Sequence, residues 1–157
     1  MDKILCEVLS NFKVFSMKVH SLHVTMTGDG FDAYHKFLGE IYSFLEDSTD
    51  SIMENMEMIG IPTPTSLEEQ IEESGIKELW DDSKWEDKED DGSIEDWKAQ
   101  MPVVEKWLLY ILDCLQDAIE KSGDEKDFVT QNDLIDLQKD IRKFSRKNTR
   151  MMWKRFL

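Results

Sequence analysis

Cysteine is nearly absent: Cys6 and Cys114 are the only two among 157 residues. A lone pair in a chain long enough to bury a core excludes a disulfide framework, so both read as reduced structural thiols. Long apolar runs are missing too. No stretch approaches the ~18 residues of a membrane span, and the opening Met1-Asp2-Lys3-Ile4 leads into no apolar segment with a small-residue cleavage site. The expectation is a cytoplasmic protein with no membrane partner. Basic residues are in deficit, 19 against 34 acidic ones, for a net charge of −15. Such a chain repels a phosphate backbone, so DNA binding is not expected unless the cations are segregated in space. Strand-like alternation and internal repeats are both lacking. The length, with 40% hydrophobic residues, suits one domain over 1–157.

What is present is helical. From Leu5 the apolar residues fall at Val8, Leu9, Phe12, Phe15, Val19, Leu22 and Met26, the spacing of an amphipathic helix that stops at Gly28-Asp29-Gly30. A second helix is expected from an N-cap at Asp32, with Phe37, Leu38, Ile41, Phe44, Leu45, Ile52, Met56 and Ile59 on one side, ending at Gly60 and Pro62. At about 28 residues it spans roughly 42 Å. Ser66 with Glu69 three residues on is a capping box for a short helix ending at Gly75, a crossover element. Residues 77–99 mix dense acid with Trp80, Trp85 and Trp97 and show no clean period, which reads as an acidic insertion partly pinned by tryptophans. Pro102 then opens a third long helix carrying Val103, Val104, Trp107, Leu108, Ile111, Leu115 and Ile119 to Gly123. Thr130 or Asn132 opens the fourth, with Leu134, Leu137, Ile141, Phe144, Met151 and Trp153, running to Leu157. The fold class is all-α: a four-helix bundle with a long connection between the second and third helices that contains a short helix.

The three histidines, His20, His23 and His35, all fall within residues 20–35. On a helical wheel His23 lies inside the apolar stripe of the first helix, facing the bundle or its rim, while His20 lies off it. On the second helix His35 sits about 110° from the centre of the apolar stripe, and Asp50 and Glu54 lie roughly opposite the core. Asp50 and Glu54 are spaced i, i+4, so both can reach one ligand, and two anionic oxygens aimed at one point need a cation or a proton between them. Taken singly these features are ordinary: a lone histidine is commonly a hydrogen-bonded core residue, and an outward Asp-x-x-x-Glu pair is commonly solvated. Distance adds a constraint. Fifteen residues separate His35 from Asp50, about 22 Å along the axis, so one helix cannot bring both to one metal. Only an antiparallel second copy can join His23 and His35 of one chain to Asp50 and Glu54 of another.

The runs "HVTMTGDGFDAYH" and "DSIMENMEMIGIP" together resemble the Dps proteins, the DNA-protection-during-starvation branch of the ferritin-like superfamily. That pattern is a His, a second His twelve on, then Asp and Glu four apart on the same helix, met here by His23, His35, Asp50 and Glu54. The run from Thr130 to Leu157 also resembles the family's last helix; the likeness covers residues 1–76 and about 101–157 and leaves the acidic insertion outside. The resemblance implies a ferritin-like bundle assembled as a hollow homo-oligomer, a dodecamer, with ferroxidase sites at its two-fold interfaces. It also implies oxidation of iron, Fe2+ to Fe3+, with hydrogen peroxide or oxygen, storage of the ferric mineral, and protection against oxidative stress. Imidazole and carboxylate ligands suit that chemistry, the carboxylates favouring Fe(III) as charge rises. In this reading His23, His35, Asp50 and Glu54 are both the metal ligands and the catalytic residues.

Three departures from the family pattern stand out. A further acidic residue often follows the second His by four, and here that place is Gly39; Glu40 points about 100° away. Restoring a carboxylate at Gly39 is therefore expected to strengthen the site. Val24 stands where the family commonly has a Trp near the metals. A Lys-rich terminal tail, which the family uses for DNA, is not expected. Two other readings stay open: a scaffold or binding protein whose iron site Gly39 impairs, and DNA compaction through Arg142, Lys143, Arg146, Lys147, Arg150, Lys154 and Arg155. Those cations are expected to complement the helix dipole and pair with the acidic insertion.

Overall fold

The computed structural model describes residues 1–76 and 97–156, with side chains through residue 152. Among the described residues the fold has five helices: α1 (Asp2–Thr25), α2 (Phe31–Met58), α3 (Leu67–Glu73), α4 (Trp97–Asp124) and α5 (Phe128–Phe156). This is a ferritin-like helical bundle in which α1 pairs with α2 and α4 with α5, while α1 also packs on α4 and on the crossover helix α3. Among the described residues no strand forms beyond an isolated bridge at Thr27, and no helix is long and apolar enough to cross a membrane. The insertion expected at 77–99 lies largely outside the described residues; of its tryptophans only Trp97 falls within them.

The apolar stripes meet in one core centred on Phe12, Phe15, Phe37, Leu38, Ile41, Trp107 and Ile111, all at most 1% exposed. Phe15 and Trp107 pack edge to face across the α1–α4 contact, with centroids 5.7 Å apart. Two buried polar nodes set the register. Asn11 accepts from Ser74 Oγ and from the Gly75 backbone N–H, both at 2.9 Å, and donates to Cys114 Sγ at 3.3 Å, tying crossover, α1 and α4 together. Both cysteines are free thiols. On the far side, Tyr34 donates to Asn148 Oδ1 at 2.8 Å, and Asn148 Nδ2 donates to Met101 O and Glu105 Oε2, both at 3.0 Å. That network locks α2 against α4 and α5 with Tyr34 wholly inside, which leaves its neighbour His35 on a different face.

Several helix ends differ from the expected ones. The second helix begins at Phe31 behind Gly30, which takes φ 76° as N-cap, and Asp32 lies in the first turn, where its charge favours the positive end of the helix dipole. The short helix starts as expected, Ser66 Oγ accepting from Glu69 N at 3.3 Å, but ends at Glu73 with Ser74 as C-cap. The third long helix is already formed at Trp97, with Pro102 inside it. Trp97 holds that extra turn: its indole is buried and Nε1 donates to Asp29 O at 3.0 Å, while its backbone N donates to Thr27 O at 3.1 Å. The last helix begins at Phe128, not at Thr130 or Asn132, because the Asp127 carboxylate accepts from both Thr130 N (3.1 Å) and Thr130 Oγ1 (2.6 Å).

Candidate metal centre

The end of α1 and the start of α2 are joined by only five residues, so the two helices run antiparallel and side by side at this point. His23 occupies the last turn of α1 and His35 the second turn of α2. Their rings stack, with centroids 3.8 Å apart and planes 12° from parallel. Each ring reaches across to the other residue's backbone: His23 Nδ1 lies 2.7 Å from His35 O, and His35 Nδ1 lies 2.7 Å from His23 O. A carbonyl oxygen only accepts, so both Nδ1 atoms carry the proton and donate. One bond satisfies a carbonyl that the end of α1 leaves without an intrahelical partner. The other spends the second lone pair of a carbonyl inside α2.

The consequence is a defined tautomer. With Nδ1 donating in both rings, a neutral imidazole presents Nε2 as its lone-pair nitrogen, and among the described residues neither Nε2 has a hydrogen-bond partner. Carbonyl contacts of this kind orient metal-bound histidines generally. Both rings are half-buried, and Phe31 packs edge to face with His35, centroids 6.0 Å apart. Two nitrogen donors are thus held in place with little freedom left to lose on binding.

The carboxylates are elsewhere. Asp50 and Glu54 are exposed on the distal half of α2, and Glu54 borders a cleft of about 370 Å³ between α2 and the start of α5, with Asn55, Thr130, Asp133 and Asp136 around it. Among the described residues no three His, Cys, Asp or Glu side chains of this single chain come together as a metal site. The structure therefore unites His23 with His35 and Asp50 with Glu54 as neighbours on one helix, and it does not bring the two pairs together.

Other residues near the pair have separate roles. Gly39 lies one turn beyond His35, directly under the His23 ring. Glu40 does not take its place, since its carboxylate accepts from Lys147 Nζ of α5 at 3.2 Å. His20 is exposed and stacks on Tyr42 at 4.3 Å, away from the His23–His35 contact. Within the cationic run of α5, Arg142, Lys143, Arg146, Lys147 and Arg150 are exposed. Lys147 pairs with Glu40 and Lys143 approaches Asp140 at 3.9 Å, whereas Lys154 and Arg155 and the acidic insertion lie outside the described side chains. The reciprocal histidine bonds and the ring on Gly39 carry no sequence signature beyond the His-x11-His spacing itself.

No family model matches the chain. Over 135 residues it is 27% identical to the DNA protection during starvation protein of Listeria monocytogenes, an alignment covering 86% of this chain and 80% of that protein. Its fold is similar to a histidine-to-glycine mutant of Listeria innocua Dps, with a TM-score of 0.82 at 21% identity over 97% of this chain and 96% of that one. It is also similar to Dps from Listeria monocytogenes, with a TM-score of 0.77 at 24% identity over 90% and 86% of the two chains. The chain is thus similar along most of its length to a Dps relative, shares the ferritin-like helical bundle of the Dps structures, and carries His23, His35, Asp50 and Glu54 in the order of the Dps-like pattern read from its sequence.

Proposed function

We propose that the protein is a Dps-type ferroxidase and iron store: it oxidises Fe(II) with hydrogen peroxide or oxygen and holds the ferric product inside a hollow homo-oligomer, a dodecamer in the cytoplasm. The observation that carries this reading is the reciprocal His23–His35 pair, in which both Nδ1 atoms are committed to backbone carbonyls and both Nε2 atoms are left to bind a metal. Asp50 and Glu54 of a second copy complete the ligand set across a two-fold interface, supplying anionic oxygen that stabilises the ferric state. Two Fe(II) ions give up one electron each, and one hydrogen peroxide takes both with two protons to give two waters.

The test is Fe(II) plus peroxide added to the intact oligomer, following the ferric absorbance. The wild type develops it rapidly, and His35→Ala loses most of the rate while keeping the same oligomeric state. One other reading is a Dps-fold scaffold or binding protein with an impaired iron site, since position 39 lacks the acidic residue that the family pattern often carries there. Normal assembly with no faster iron oxidation than in buffer would establish that alternative instead.

A further inference from the structure

Gly39 is the least expected residue near the histidine pair. It sits inside α2, and its backbone is not in the left-handed region that calls for glycine. A glycine in a helix interior is unfavourable relative to almost any other residue, so its presence asks for a reason in packing. The reason is visible in what a side chain would meet. A Cβ at position 39 would stand 3.0 Å from His23 Cε1, 3.5 Å from Nδ1 and 3.8 Å from Nε2, and ordinary carbon–carbon contact is about 3.5–4.0 Å.

The helix geometry explains why this position and not another. His23 Nδ1 donates to the carbonyl of His35, a group that also accepts the intrahelical bond from residue 39, four positions on. Every Cα–Cβ bond in a helix tilts towards the N-terminus, so the side chain at 39 is the one that covers the groove beside that carbonyl. In this chain the His23 imidazole sits so close that a Cβ there would push it aside by a few tenths of an ångström. The ring is bonded at Nδ1 to the His35 carbonyl and stacks on the ring of His35 at 3.8 Å.

We infer that Gly39 is a positioning residue: by having no Cβ it opens the groove over the His35 carbonyl, seats His23 there through Nδ1, and so aims His23 Nε2 as a metal ligand. The inference deepens the proposed iron site and rests on that reading for its functional meaning. It reverses the sequence expectation that a carboxylate at position 39 would strengthen the site. A side chain there presses on the seated His23 imidazole before it can add an oxygen.

The test uses the full chain with Gly39→Ala and Gly39→Asp, with Co(II) as the probe metal. In both variants Co(II) affinity is expected to fall about 10- to 100-fold, the usual effect of disturbing the groups that orient a ligand. The Co(II) visible spectrum should change with it, and in metal-free protein the NMR signal of the His23 Nδ1–H should shift or exchange away. A melting-temperature cycle separates this from a general loss of folding. Gly39→Ala should raise the melting temperature more in a His23→Ala background than in the wild type, because only the wild type must give up the imidazole's seat. That cycle and the metal-free NMR signal hold even if the protein oxidises no iron. Tighter Co(II) binding by Gly39→Asp with the Nδ1–H signal unmoved, or equal effects of Gly39→Ala in both backgrounds, would overturn the inference.

Discussion

The division of the ligand set between two chains can be tested by complementation. His35 and Asp50 lie fifteen residues apart on α2, about 22 Å along its axis. Ligands of one metal ion each stand about 2.0–2.2 Å from it, so they are within roughly 4 Å of one another. No rotamer of two side chains on one straight helix closes that gap. A chain carrying His35→Ala therefore still offers intact carboxylates, and a chain carrying Asp50→Ala still offers intact histidines. Each variant alone should be inactive in iron oxidation. If the two are mixed in equal amounts, unfolded and reassembled, half of the two-fold pairs are mixed, and one of the two sites in each mixed pair receives both intact halves. About one quarter of all sites is then restored, by the symmetry of an isologous interface. Co(II) stoichiometry and Fe(II) oxidation rate on the reassembled oligomer both measure that fraction. No recovery above the separately reassembled parents, with assembly confirmed by light scattering, would show that the histidines and carboxylates do not meet across chains.

Three further outcomes are expected. Asp50→Ala and Glu54→Ala should melt within a degree or two of the parent, both being exposed, yet bind Fe(II) weakly; His23→Ala should bind weakly and also lose about 1–2 kcal/mol in urea unfolding through its carbonyl bond and ring contact. Tyr34 is fully buried beside Glu105, and burial first, then that carboxylate, push its pKa well above 10.0. Because the unfolded phenol ionises near pH 10 while the folded one keeps its proton, stability should fall as pH rises above about 10, at up to ~1.4 kcal/mol per pH unit. Tyr34→Phe should remove that part of the slope. With a net charge of −15 per chain, the oligomer should not retain duplex DNA in gels at physiological salt without divalent cations, and retention that resists added salt would show the α5 cations to be a DNA surface.

Much of this protein follows from one-dimensional pattern, because a helix repeats every 3.6 residues and its buried face must be apolar. The stripe through Phe12, Phe15 and Val19, that through Phe37, Leu38 and Ile41, and that through Trp107, Leu108 and Ile111 all became core. The placement of His35, Asp50 and Glu54 away from the centre of the second stripe was legible for the same reason. Helix ends were less so, since a cap depends on what the flanking loop can reach. The 27–29 loop supplies carbonyls for the indole and backbone of Trp97, which is helical ahead of Pro102, and Gly30, in a left-handed conformation within the five-residue connection, takes the N-cap place expected of Asp32. The histidine pair shows the boundary most clearly. The twelve-residue interval between His23 and His35 set both rings on facing helices, but the antiparallel packing of α1 on α2 decided that each ring would bond to the other's carbonyl. From the sequence alone Gly39 is a missing carboxylate. In three dimensions it is the space that His23 fills, because the side chain that would guard an interior helix carbonyl is the one four residues further on.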